Sequence, residues 1–184
     1  MRLLLASASP RRRELLGELT TFEVEPSRFA ETEGRSAEET VLLNARGKAL
    51  EVLSRFPDCR VLGADTAVAL GDKILGKPSN AEEAEKILRF LSGKTHSVFT
   101  GVCLADADGR LERVVETKVS FKELSEKTIR EYVLSGAPLD KAGAYGIQDG
   151  VVVASYEGSY TNVVGLPQET VKELLAKKNG REYI

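Results

Sequence analysis

The sequence predicts a mixed α/β fold, a twisted central sheet flanked by helices. Two observations carry that reading. Short apolar strand-like runs alternate along the chain with helix-like segments of 3.6-residue periodicity, which places helices against a sheet. Two pairs of strand-like runs are joined by tight turns, at Gly71-Asp72 and at Asp106-Ala107-Asp108-Gly109, and such hairpins do not fit a purely parallel sheet.

The elements follow in order. Leu3-Leu4-Leu5-Ala6 reads as a short buried strand, and Ser9-Pro10 as the cap and first turn of a helix with Leu15, Leu16 and Leu19 on its apolar face. Thr21 to Val24 reads as a second strand, leading into an acidic loop that contains Glu31. Ser36-Ala37-Glu38-Glu39 is a capping box. The helix it opens carries Val41, Leu42, Ala45, Ala49, Leu50 and Leu53 and stops near Phe56-Pro57. Val61 to Ala64 reads as a buried strand, and Val68 to Leu70 pairs with Lys73 to Leu75 as a hairpin. Asn80, with Glu83 three residues on, caps a helix to about Leu91. Ser97 to Ala107 and Leu111 to Phe121 are long strands, and Ser125 caps a helix to about Leu134. Gly136 to Gly150 reads as a glycine-rich loop, Val151 to Ala154 as a strand and Pro167 to Lys177 as a helix. Gly158 to Pro167 is either a tight turn or a helix start lining a cleft. No Pro/Gly/Ser-rich linker divides the 184 residues, so one domain over 1–184 is expected.

Composition narrows the chemistry. The 26 Lys and Arg against 28 Asp and Glu give a net charge of −2, so bulk electrostatics does not hold the chain on nucleic acid, and any polyanion contact needs a local cluster. RNA binding would need a basic strip with interleaved aromatics, which a chain 6% aromatic without Trp does not provide. A single His, His96, excludes HExxH and every multi-His metal site, and it is expected half-exposed at a strand start. Cys59 and Cys103 form neither a CxxC pair nor a disulfide framework, as in a reduced cytoplasmic protein. No apolar run reaches the ~18 residues of a membrane span, and the Arg-rich turn after Met1-Arg2-Leu3-Leu4-Leu5 is wrong for a signal peptide.

The most informative stretch is Ser7-Ala8-Ser9-Pro10-Arg11-Arg12-Arg13. Cations in a helix first turn oppose the helix dipole by a few tenths to ~1 kcal/mol each, so three arginines there make sense beside an anion or a carboxylate cluster. Ser7 and Ser9 add hydroxyls, and arginine forks match phosphate. Asp65, in Gly63-Ala64-Asp65-Thr66, stands directly after a buried strand, where it can bind a hard cation or polarise a water, or merely form an Asx turn. Glu31 is a candidate second carboxylate for one magnesium, and Lys48 and Lys77 are candidate phosphate cations, each with plain solvated charge as the alternative. Gly93-Lys94-Thr95 is no Walker A motif, because the position five residues earlier is Leu88. In Asp140 to Gln148, Gly143 and Gly146 allow close approach to a ligand, and Gln148 can donate and accept at one edge of a base. The GxxG spacing of a KH module lacks basic residues here.

Together these stretches resemble the Maf-like nucleoside triphosphate pyrophosphatases. Seven ordered motifs carry the resemblance essentially end to end: Leu5 to Arg12, Ala45 to Ala49, Gly63 to Thr66, Gly76 to Pro78, Ser92 to His96, Asp140 to Gln148 and Gly158 to Tyr160. The resemblance implies an elongated fold with a cleft between two lobes, similar to the inosine triphosphatase superfamily. It implies a cytoplasmic house-cleaning enzyme, often a homodimer, that needs magnesium (manganese substituting) to cleave a triphosphate into monophosphate and pyrophosphate. On that resemblance Asp65 is the catalytic proton acceptor, and Arg11, Thr66 and Gln148 fall on selectivity positions. Ser7, Ser9, Arg12, Glu31, Lys48 and Lys77 fall on motif positions lining the cleft, with Glu31 and Asp65 as the metal pair. Ala144 to Gln148 looks like the subgroup acting on dTTP and UTP. Asp149 departs from the glycine expected in many members and puts an extra acid beside the base pocket. The rival reading is a nucleotide-binding regulatory protein of cell division without turnover, which gives no reason for Asp65 and Glu31 to stand beside a triphosphate.

Overall fold

The computed structural model describes residues 1–180. Seven strands and six α-helices occur among them: β1 (Leu3–Leu5), α1 (Pro10–Gly17), β2 (Glu23–Val24), α2 (Ala37–Arg55), β3 (Arg60–Leu70), β4 (Lys73–Leu75), α3 (Ala81–Leu91), β5 (Thr95–Asp106), β6 (Gly109–Phe121), α4 (Glu126–Leu134), β7 (Val153–Glu157), α5 (Tyr160–Val164) and α6 (Gln168–Gly180). The strands form one mixed sheet in the order β2-β1-β3-β5-β6-β7, with β4 added to β3. β1 runs parallel to β2 and β3, and the remaining pairs are antiparallel.

Local chemistry starts the helices. Ser9, Ser36, Asn80 and Ser125 each accept a backbone N–H three residues on, as N-caps. Alternation along β3 then divides the core. Leu62 and Ala64 face α1 and α6 with Leu5, Leu16, Leu166 and Leu174. Val61 meets Ala45, Ala49 and Val52 of α2 on the opposite face. A third cluster joins α3 and α4 to the far end of the sheet through Leu88, Leu91, Val98, Val119, Ile129 and Tyr145.

Two expectations change. β3 is one strand of 11 residues, so Asp65 and Thr66 lie inside it rather than after it. The reason for their availability is the neighbouring edge. β1 pairs with β3 only at Arg60 to Leu62, and β4 pairs on the same edge only at Val68 to Leu70, while β5 covers the other edge from Val61 to Ala69. On that edge, between β1 and β4, no strand lies beside the backbone from Gly63 to Ala67 among the described residues, and a cleft opens there. Of the two readings of Gly158 to Pro167, a tight turn or a helix start lining a cleft, the structure has the short helix α5, whose end lines the cleft.

His96 is buried at 2% exposure rather than half-exposed. Its Nε2 lies 2.8 Å from the Tyr145 hydroxyl, and its ring packs edge-on against Phe121 and Tyr145. Burial pushes the imidazole pKa down from 6.5 to about 4. The native state therefore takes up its proton later than the unfolded chain, so this contribution is complete above pH 6.5 and is lost as pH falls towards 4. Denaturant titrations should show about 2 kcal/mol lost to this group between pH 7 and pH 5. The same comparison on His96→Phe should show a correspondingly shallower slope; an unchanged slope would assign the acid sensitivity to other groups.

Candidate active site

The cleft has a volume of about 510 Å³ and is lined from both halves of the molecule. Its lining comes from α1, α2, the acidic loop, the exposed stretch of β3, the turn after β4, residues 141–148 and the end of α5. All sequence-predicted site residues except Ser7 line it directly, and Ser7 is bonded to Arg12, which does. Five basic side chains (Arg11, Arg12, Lys48, Lys77 and Lys141) and three acidic ones (Glu31, Glu33 and Asp65) face it. A chain of net charge −2 thus concentrates a positive field in one concavity, which draws in a polyanion.

Arg12 is the fixed cation of the floor. Its Nε donates to the Gly165 carbonyl at 2.9 Å, and its terminal nitrogens donate to Ser7 Oγ at 3.3 Å and Thr66 Oγ1 at 3.1 Å. Thr66 is itself 2.9 Å from Thr100 Oγ1, which donates to the Asn162 carbonyl. Burial lowers the Arg12 pKa, and the charges of Asp65 and Glu31 pull it back up. The three-arginine turn therefore divides its labour. Arg12 is locked inward, Arg11 crosses to Asp140 at 2.9 Å, and Arg13 is exposed. Ser9 caps α1 by accepting the Arg12 amide at 3.4 Å.

Alternation on β3 sends Asp65 to the opposite face from Thr66, towards α2. Asp65 Oδ1 accepts from Lys48 Nζ at 2.7 Å and Oδ2 accepts from Asn44 Nδ2 at 3.1 Å. The same ammonium donates to Glu31 Oε1 at 2.6 Å. That hydrogen bond is the main cause holding the Glu31 carboxyl below its ordinary range. Lys48 is one helical turn from Asn44, so both reach the same carboxylate. Lys77 and Gln148 are both exposed and both line the cleft.

The acidic loop is pinned along α2. Glu51 accepts from Ser27 Oγ at 2.8 Å and from the Arg28 amide at 2.9 Å. Asn44 Oδ1 accepts the Thr32 amide at 2.9 Å, and Thr40 accepts that of Gly34 at 2.9 Å. The Phe29 ring lies over Gly47, where any Cβ would fall 2.2 Å from it. Glu31 is thereby carried to Lys48 although its own side chain is largely exposed.

Asn44 and Asn162 are the polar residues that sequence reading missed. An asparagine inside an amphipathic helix looks like surface, and only the fold reveals that Asn44 is 3% exposed between a loop amide and a carboxylate. Asp149 is a correction of the opposite kind. It accepts from the Tyr132 hydroxyl at 2.5 Å and does not line the cleft, so it adds no free acid to the base pocket.

The oxygen donors suit a hard divalent cation. Two carboxylates converge on one ammonium, so they face a common point, and magnesium is ordinarily held by one or two carboxylates together with substrate phosphates. No group of three or more His, Cys, Asp or Glu with metal-binding geometry occurs among the described residues, so the pair fits a cation shared with a phosphate chain rather than a closed protein cage. Cys59 and Cys103 are free and buried, and among the described residues no helix is long and apolar enough to cross a membrane.

Comparison with known proteins follows the same outline. A dTTP/UTP pyrophosphatase of Myxococcus xanthus is 53% identical over 182 residues, covering 95% of this chain and 91% of that protein. Those of Pyrococcus horikoshii and Moorella thermoacetica are 46% and 47% identical, again covering 95% of this chain, with 95% and 94% of their own lengths matched. The family model described as Maf-like protein matches residues 2–178. With a mixed sheet opened at Asp65 and relatives matched along nearly their whole length, the chain belongs to the Maf-like protein family.

Proposed function

We propose that this protein is a nucleoside triphosphate pyrophosphatase, that it hydrolyses dTTP and UTP, and related modified pyrimidine triphosphates, to the monophosphate and pyrophosphate, and that residues 1–184 act as one catalytic domain. The observation that carries the reading is Asp65. It is a carboxylate 13% exposed on a rigid strand, bonded to Lys48 and Asn44, in a cleft whose other charged groups are mostly cations. A protein that only bound the bare triphosphate anion, with no metal and no proton to take up, would gain nothing from two carboxylates, Asp65 and Glu31, inside that field. The close relatives named as dTTP/UTP pyrophosphatases support the substrate class.

The triphosphate lies across Arg12, Lys48 and Lys77, with Ser7, Ser9 and the first turn of α1 as further donors. Arg12 needs no reorganisation to act, because three partners already fix its plane. Water attacks the α-phosphorus, the bond from that phosphorus to the bridging oxygen breaks, and its electron pair leaves with pyrophosphate. Asp65 accepts the water proton. Each of its oxygens keeps a second lone pair beyond the Lys48 and Asn44 bonds, so those bonds orient the base without consuming it. Magnesium, with manganese as a substitute, would be held by Glu31 and Asp65 and supplies charge neutralisation at the phosphate oxygens. Lys48 keeps a third N–H beyond its bonds to Asp65 and Glu31, and offers it with its charge to a phosphate oxygen. Gln148 donates from Nε2 to O4 of uracil or thymine and accepts N3–H at Oε1, and this contact leaves the thymine methyl unopposed. Arg11 and Thr66 complete the selectivity set. The reading includes a cytoplasmic location and a homodimer.

Pyrophosphate release from a panel of natural and modified triphosphates, with and without magnesium, tests this reading. The expected result is metal-dependent turnover with the highest kcat/KM for dTTP, UTP or a modified relative. Tight nucleotide binding without any turnover in either condition would favour the regulatory alternative.

A further inference from the structure

Gln148 lies on a segment without a strand or long helix of its own. Residues 137–149 form three short 3-10 turns, and Gly143 and Ala144 both take left-handed backbone angles, with φ of 70° and 58°. For alanine that conformation is strained, so the surrounding structure must impose the path of the segment. Gln148 is exposed, and its own contacts do not do so.

The constraint comes from beneath, from α4. Tyr132 is 4% exposed, and its hydroxyl uses both of its functions on this segment. It accepts the Gly146 amide at 3.0 Å and donates to Asp149 Oδ2 at 2.5 Å. Those partners bracket Gln148, two residues before it and one after. The packing above Gly146 is equally closed: a Cβ there would lie 2.9 Å from Gln148 Nε2, Asp149 Oδ2 and Lys141 Cε. The Gln148 amide is thus folded over the same glycine whose N–H the tyrosine holds. Burial, reinforced by the Asp149 charge, raises the Tyr132 pKa, so the hydroxyl stays protonated and keeps donating.

We propose that Tyr132 and Asp149 form a strut that positions Gln148 and so sets base selectivity, neither residue touching substrate. The inference rests on the reading of Gln148 as the base-reading side chain. Its logic is that of a charge-assisted hydrogen bond holding a loop register. Without the tyrosine hydroxyl the Gly146 amide and the Asp149 carboxylate lose their shared partner, and the carboxylate is released beside a nucleotide site. With the hydroxyl in place, an acid adjacent to the selectivity residue supports recognition rather than repelling the substrate.

The test is the triphosphate panel on wild type, Tyr132→Phe, Asp149→Ala and Asp149→Asn. Tyr132→Phe is expected to raise KM for dTTP and UTP about tenfold, with kcat at saturation and the slow rates on purine triphosphates little changed. Asp149→Ala should do the same, and the double variant should be no worse than either single one, because they act as one unit. Asp149→Asn retains an acceptor oxygen and should restore most of the selectivity. Should Tyr132→Phe fail to fold, the Asp149 pair of variants decides the matter alone. A wild type that does not discriminate among bases overturns the reading of Gln148 and the strut with it. A wild type that discriminates, with Tyr132→Phe and Asp149→Ala discriminating equally well, overturns the strut alone. A uniform loss across all triphosphates, the mark of general loosening, overturns it too.

Discussion

Asp65→Asn is expected to lower kcat by at least about a thousandfold while the protein stays folded. Asparagine keeps the volume of the buried side chain, so the packing of β3 against α2 survives. It cannot accept a proton at neutral pH, and it carries no charge. Two bonds also suffer. Asp65 presents oxygens to two donors, Lys48 and Asn44, and an amide must turn its NH2 towards one of them. The lost charge-assisted contact costs about 1–3 kcal/mol, a fraction of a typical domain stability. Circular dichroism and a melting curve establish the fold, and pyrophosphate release measures the rate. Activity within tenfold of wild type would remove Asp65 from the role of base.

The second large effect is expected from a residue with no polar chemistry. Gly63→Ala should cost about 3 kcal/mol, the upper end of the ordinary range for overpacking, and should depress kcat about a hundredfold as well. A Cβ at Gly63 would lie 2.2 Å from the Ala45 carbonyl and 2.8 Å from the Ala49 amide, both backbone atoms of α2. Side chains can rotate away from such a clash, but helix backbone must move as a body. Gly101, opposite Asp65 in register, meets Val41 of the same helix in the same way. The helix therefore rests on a smooth patch of sheet made by two glycines. Because α2 carries Asn44 and Lys48 to Asp65, lifting it loosens the site and the core together. Urea titration and steady-state rates read the two losses. Gly17→Ala, where the nearest atom would be Phe22 at 3.9 Å, is the control and should lie within about 1 kcal/mol of wild type. Equal behaviour of the two variants would contradict this view of how α2 docks.

These two residues also mark what could be read from the sequence. Helix starts were legible because capping is local: Ser36 and Asn80 announce helices within four residues of themselves. The hairpin turns were legible for the same reason, and they ruled out a parallel sheet. The arginine turn was legible as chemistry, since cations at a helix start need an anionic reason. Asp65 was legible as a chemical residue but misplaced, because a carboxylate within an apolar strand reads as the end of that strand. What keeps the strand going is a gap on one edge between β1 and β4, and that depends on partners far away in the chain. Long-range partners likewise set what local sequence leaves open. Arg12 ends on the carbonyl of Gly165, 153 residues later, and His96 is buried by Tyr145, 49 residues later. Asn44 is invisible for a related reason, since its burial is tolerated only through Thr32 and Asp65.

Turnover as proposed requires water to reach the α-phosphorus of a triphosphate held between Arg12 and Asp65. Hydrolysis of UTP in oxygen-18 water, followed by mass spectrometry of both products, tests it most directly. The expected outcome is UMP carrying one heavy oxygen, with unlabelled pyrophosphate. Label in the pyrophosphate, or release of orthophosphate and UDP in its place, would contradict it.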